Sequence, residues 1–99
     1  MVYDVLIYPS AEADINEIKK YFEDELQTNI DPLLDEFIEI VSYLESNPFM
    51  FPIVNDKYLA QKEYRKFPIG NYLVFYVIVD RTVQIRRILF GKRLYSDIL

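Results

Sequence analysis

Cysteine and histidine are both absent from the 99 residues. Their absence excludes disulfides, thiolate nucleophiles and zinc sites with the usual ligands. It also excludes the imidazole that most often moves protons near neutral pH. A chain without cysteine suits the cytoplasm. Glycine is scarce at 2 and proline modest at 5, so no segment reads as disordered or low in complexity. No apolar run approaches the roughly 18 residues that a membrane span needs. No basic segment leads into an apolar one at the start, so no signal peptide is expected. Phosphate loops, Ser/His/Asp sets and metal-ligand clusters are likewise missing, and no cofactor or metal is expected.

What is present is apolar and aromatic. Hydrophobic residues make up 52% of the chain, with nine Tyr and seven Phe. The length fits one domain, residues 1–99. A chain this short buries only about 60–65% of its unfolded surface, so the aromatics must carry much of the core. The net charge of -5 is unevenly spread. Residues 1–56 hold thirteen acids and two bases, whereas residues 57–99 hold three acids and nine bases. The overall sign argues against indiscriminate nucleic-acid binding, while the C-terminal part has the sign a phosphate site needs. The plainer account is that acidic helices neutralise a basic sheet inside the fold.

The element signals run in order along the chain. Residues 2–8 are β-branched and aromatic and stop at Pro9, which predicts a strand. Ser10 stands in N-cap position, with Glu12 and Asp14 in the first turn. Ala11, Ile15, Ile18, Phe22 and Leu26 then form one helical face. Asn29 to Asp31 is a break, and Pro32 opens a second helix whose stripe is Leu34, Phe37, Val41 and Leu44. Asn47-Pro48 ends it. The two helices, 10–27 and 31–47, are expected to pack as an antiparallel hairpin. Residues 48–58 read as a loop, with Phe49, Met50 and Phe51 plugging the core beneath it.

Residues 62–67 then read as a strand and 68–71 as a turn. Residues 72–79 are nearly continuous apolar and aromatic, as in a central strand covered on both faces. Asp80-Arg81 is a tight turn, and 82–90 is the last long strand. Gly91 breaks the pattern, and the tail to Leu99 reads as a short helix or strand. The order is β-α-α-β-β-β, an α+β fold with the helical hairpin on one face of an antiparallel sheet. Acid pairs such as Asp14 with Glu17, or Asp35 with Glu39, read as a solvated outer helix face rather than a metal or acid/base site.

The chemistry-bearing stretch is 64–95. Arg65 and Lys66 lie on one strand, Arg86 and Arg87 on another, and Lys92-Arg93 follows Gly91. Adjacent strand residues point to opposite faces, so each pair should lend one member to any given face. Guanidinium groups fit phosphate geometry and stack on bases. Tyr64, Tyr72, Tyr76 and Tyr95 lie nearby in sequence and could stack, transfer a proton or simply pack.

Residues 72–76, Tyr-Leu-Val-Phe-Tyr, followed by 83–93, Val-Gln-Ile-Arg-Arg-Ile-Leu-Phe-Gly-Lys-Arg, resemble the C-terminal half of the RelE/ParE superfamily of toxins from type II toxin–antitoxin pairs. Ser10-Ala11-Glu12-Ala13-Asp14-Ile15 opening the first helix is similar too, as are Asn47-Pro48 and Phe51-Pro52 before the sheet. The resemblance covers nearly the whole chain. It implies a toxin that either cleaves mRNA on the ribosome or poisons DNA gyrase, and that a cognate antitoxin neutralises. It leaves a homodimer open.

On the nuclease branch the implied catalytic residues are Lys66, Arg93 and Tyr95, working without a metal. Arg65, Arg86, Arg87 and Lys92 are then expected to contact the target. Leu73 stands where RelE-like nucleases carry an Arg, Tyr64 where they carry a second Lys, and Phe90 where many relatives carry His. Arg65 matches an Arg common in ParE-like members. The alternative is a non-catalytic binding module, or a degenerate toxin that only holds an antitoxin.

Overall fold

The structure, a computed structural model, describes residues 2–91 and residue 99. The expected tail element and the expected site residues Lys92, Arg93 and Tyr95 lie outside the described residues. The elements are β1 (Asp4–Ile7), α1 (Pro9–Asp24), α2 (Asp31–Leu44), α3 (Lys57–Gln61), β2 (Arg65–Ile69), β3 (Tyr72–Val79) and β4 (Thr82–Phe90). One four-stranded sheet has the order β1-β4-β3-β2. The predicted meander is there, with β2 antiparallel to β3 and β3 antiparallel to β4. β1 joins beside β4 in parallel, which the long helical crossover between them permits.

The helices start and stop where local chemistry dictates. Pro9 begins α1 one residue ahead of the expected cap at Ser10, since its fixed φ and missing N–H suit the first helical position. α1 ends at Asp24, and Leu26 beyond it is exposed. α2 starts at Asp31, whose amide bonds the Asn29 side chain. The short α3 has no apolar period long enough to be read from sequence. Asp56 caps it by accepting from the Leu59 amide. It takes up residues expected to lead into a strand, so β2 begins only at Arg65. Gly70 makes the β2–β3 turn at φ 54°, with Leu33 Cδ1 only 3.0 Å from where a Cβ would stand.

Both sheet faces are covered. On the inner face Ile18, Phe37 and Leu44 of the hairpin meet Phe67, Ile69, Val74, Tyr76, Val83, Ile85 and Ile88. Ile15, Phe22 and Val41 pack against this cluster, half-buried. On the outer face Phe75, Val77 and Leu89 are covered by Val54, Leu59 and Tyr64. This is why Val74 to Val77 of β3 are buried without alternation. Of the three residues expected to plug the core, only Phe51 does, stacking on Phe67 at 5.3 Å. Phe49 and Met50 are exposed. No helix among the described residues is long and apolar enough to cross a membrane.

Candidate functional site

The outer face of the sheet gathers the basic residues through a β-bulge. β4 shifts register opposite Phe75 and Tyr76: Ile85 pairs with Tyr76 and Arg87 with Phe75, leaving Arg86 as the extra residue. A bulge lets two residues oppose one and breaks the alternation of faces. Val83 and Ile85 belong to the inner cluster, and so does Ile88, while Leu89 belongs to the outer one. Arg86 and Arg87 therefore share the outer face, contrary to the alternation expected of adjacent residues. Arg65 and Lys66 obey it. Lys66 pairs with Phe75, so Lys66, Phe75 and Arg87 form one row across three strands.

Arg87 is fixed by Asp14 of α1. Its Nε and Nη2 donate to the two carboxylate oxygens at 2.7 and 2.9 Å. Asp14 also accepts from the Ile88 amide at 2.9 Å. β1 pairs β4 only as far as Ile85, so the edge of β4 beyond it lacks a strand partner. α1 covers that edge: Ser10 donates to the Arg86 carbonyl at 2.7 Å, and Asp14 takes the Ile88 N–H. The Arg87 pKa is raised, chiefly by the hydrogen bond to Asp14, against the opposing effect of burial. Asp14 is 6% exposed, so the reading of Asp14 as part of a solvated face is overturned. The signal was available, because Ala11, Asp14 and Ile18 are spaced by three and four on the buried side of α1. Among the described residues this is the one ion pair joining the acidic and basic halves. Among these residues ion pairing therefore does not absorb the charge asymmetry.

Arg86 is held by neutral groups. Its Nε and Nη2 both donate to Gln84 Oε1, at 3.1 and 2.7 Å. Tyr8 donates to the same oxygen at 3.0 Å, and its ring lies 4.5 Å beneath the guanidinium. A hollow of about 240 Å³ is lined by Tyr8, Ser10, Tyr64, Arg86, Arg87 and Leu99. A second, of about 330 Å³, shares Tyr64, Arg86 and Leu99 and runs on past Lys62 and Glu63.

Arg65 stands apart on the inner side of the sheet rim. It donates to the Phe51 carbonyl and lies 5.1 Å over the exposed Phe49 ring. Tyr72 and Tyr76 also face inward, away from the outer basic residues. The Tyr76 hydroxyl donates to the Pro48 carbonyl at 2.9 Å. Burial pushes its pKa up to about 12, against the opposing charge of Arg65. A phenol raised in the folded chain holds its proton preferentially there. Its contribution is complete below the ordinary value of 10.0 and is lost as pH climbs from there towards about 12. Tyr76→Phe should cost about 1–2 kcal/mol at neutral pH, because the Pro48 carbonyl loses its donor. It should also flatten the alkaline fall in stability, which urea melts across that range will read.

No group of carboxylates among the described residues is placed to hold a metal ion. A family model described as the ParE toxin of the type II toxin–antitoxin system, parDE, matches residues 5–95. No curated protein matches the chain. Among solved structures, the chain is similar to a copper-bound mutant toxin from Helicobacter pylori, with a TM-score of 0.59 and 18% identity. The match covers 93% of this chain and 98% of that one. At that identity the likeness speaks for the fold.

Proposed function

Because the chain belongs to the ParE toxin family of type II toxin–antitoxin systems, we propose that it arrests growth by binding DNA gyrase, and that a cognate antitoxin silences it. The observation that carries gyrase over mRNA is the make-up of the outer sheet face. Tyr64 and Leu73 stand there, a buried phenol and an alkyl chain, where the nuclease resemblance calls for basic groups. RNA cleavage builds negative charge at the phosphate, and each positioned group that stabilises it is worth about 2.7–4 kcal/mol. Two such losses would slow cleavage by roughly 10⁴-fold or more. Arg87, which could have compensated, is held by Asp14. A rigid guanidinium surface is suited to docking rather than to proton transfer, since arginine keeps its proton throughout.

The test runs the purified chain on gyrase with relaxed plasmid and, in parallel, on ribosome-bound mRNA. Supercoiling should be blocked and the mRNA left intact, and Arg65→Ala, at the position that matches an Arg common in ParE-like members, should blunt the effect on gyrase. Cleaved mRNA with unaffected gyrase would overturn this reading in favour of the nuclease. A folded chain inert in both assays would overturn it in favour of a binding module. The antitoxin, mixed in excess, should raise the melting temperature by mass action.

A further inference from the structure

The hollow beside the start of α1 is lined by Tyr8, Ser10, Tyr64, Arg86, Arg87 and Leu99. Arg86 meets no carboxylate among the described residues, so its charge is oriented by Gln84 and Tyr8 without being cancelled. Of its five N–H donors, two are spent on Gln84. Arg87 likewise spends two on Asp14 and lines the same hollow. Tyr64 is only 5% exposed, and its hydroxyl makes no hydrogen bond among the described residues. No fully buried side-chain polar atom among these residues lacks a partner. The Tyr64 oxygen is therefore reached by solvent, and the two hollows it lines are the route. The first turn of α1, with no side-chain cap at Tyr8, adds its positive end. Against these stand Glu12 in that turn and Glu63 at the far end of the second hollow, the latter beside Lys62.

We propose that this hollow is an anion site that takes the phosphate of a mononucleotide-sized ligand, held by Arg86 and Tyr64 with Arg87 alongside. Guanidinium N–H donors and a phenol lining one hollow suit a tetrahedral, acceptor-rich group. The adjoining space has the size of a nucleoside rather than of a duplex. A long nucleic-acid strand is disfavoured twice over. Its affinity grows with the number of phosphates neutralised, and of the two guanidinium groups lining this hollow one is already paired with Asp14. The net charge of -5 also repels a polyanion at a distance. The inference goes beyond the gyrase reading and stands whichever target the toxin has.

Titration calorimetry on the full chain tests it directly. Inorganic phosphate should bind with a dissociation constant on the order of 1 mM, and adenosine monophosphate more tightly. Arg86→Gln should weaken both by about tenfold or more, the usual loss for a charge-assisted hydrogen bond. Tyr64→Phe, which keeps the buried ring and therefore the fold, should weaken both by about threefold to tenfold. Lys19→Gln, in a separate hollow with Glu23 and residues 27–31, should change nothing. Undiminished binding to folded Arg86→Gln and Tyr64→Phe would overturn the site, as would no phosphate binding to the wild type. A single-stranded oligonucleotide that binds with the salt dependence of several phosphates would overturn the assignment to a small ligand.

Discussion

Asp14→Ala should destabilise the fold by about 3–5 kcal/mol, a large share of the roughly 5–15 kcal/mol that holds a domain of this size. Three losses coincide. The Arg87 guanidinium loses both of its acceptors, the Ile88 amide loses its acceptor, and α1 keeps only the Ser10 bond as a polar tie to the open edge of β4. The Arg87 side chain keeps 25% of its exposure, so part of its charge can turn to water, which favours the lower end of that range. Asp14→Asn should cost less, because its amide oxygen can still accept from Ile88. Arg87→Met combined with Asp14→Ala should recover part of the loss, since removing both partners leaves no stranded charge. Urea denaturation of the four chains measures this. A cost under about 1 kcal/mol for Asp14→Ala would mean that the pair behaves as an exposed surface bridge.

Phe37→Ala should cost about 3–5 kcal/mol. Phe37 is 4% exposed and stacks at 6.5 Å on Phe67, which in turn touches Phe51 and Tyr76. Removing the first ring opens a cavity between α2 and β2 that a sheet on the other side cannot collapse to fill. The neighbouring Ile38 is 63% exposed, and Ile38→Ala should stay within about 0.5 kcal/mol. The pair is a stringent check, because composition and hydropathy hardly distinguish the two positions. Equal costs would show that the buried stripe of α2 has been misplaced. The same contrast bears on function. Ile38, Tyr21 and Tyr43 are large side chains that the helices leave outside, so their substitution should spare the fold and leave any effect on partners readable.

Local pattern determined much of this protein before any tertiary contact is considered. The spacing of Ile15, Ile18, Phe22 and of Phe37, Val41, Leu44 marks the faces the hairpin buries. The continuous run of β3 marks a strand covered on both sides, and its bounds and those of β4 are legible to the residue. Such features rest on periodicities of 3.6 and 2, which neighbouring residues carry among themselves. The similarity of the strand motifs to a toxin family is equally a property of the linear chain.

The site itself was decided elsewhere. Whether Arg86 and Arg87 share a face depends on one extra residue opposite Phe75 and Tyr76, and a one-residue slip reverses every later side chain. Asp14 looks like its acidic neighbours until β4 runs past the end of β1 and leaves the Ile88 amide in need of an acceptor. Gln84 and Tyr8 gain their roles only because the parallel pairing sets the start of α1 beside the bulge. These placements join residues more than seventy positions apart. They depend on strand pairing and edge satisfaction across the whole sheet, which no window of sequence contains.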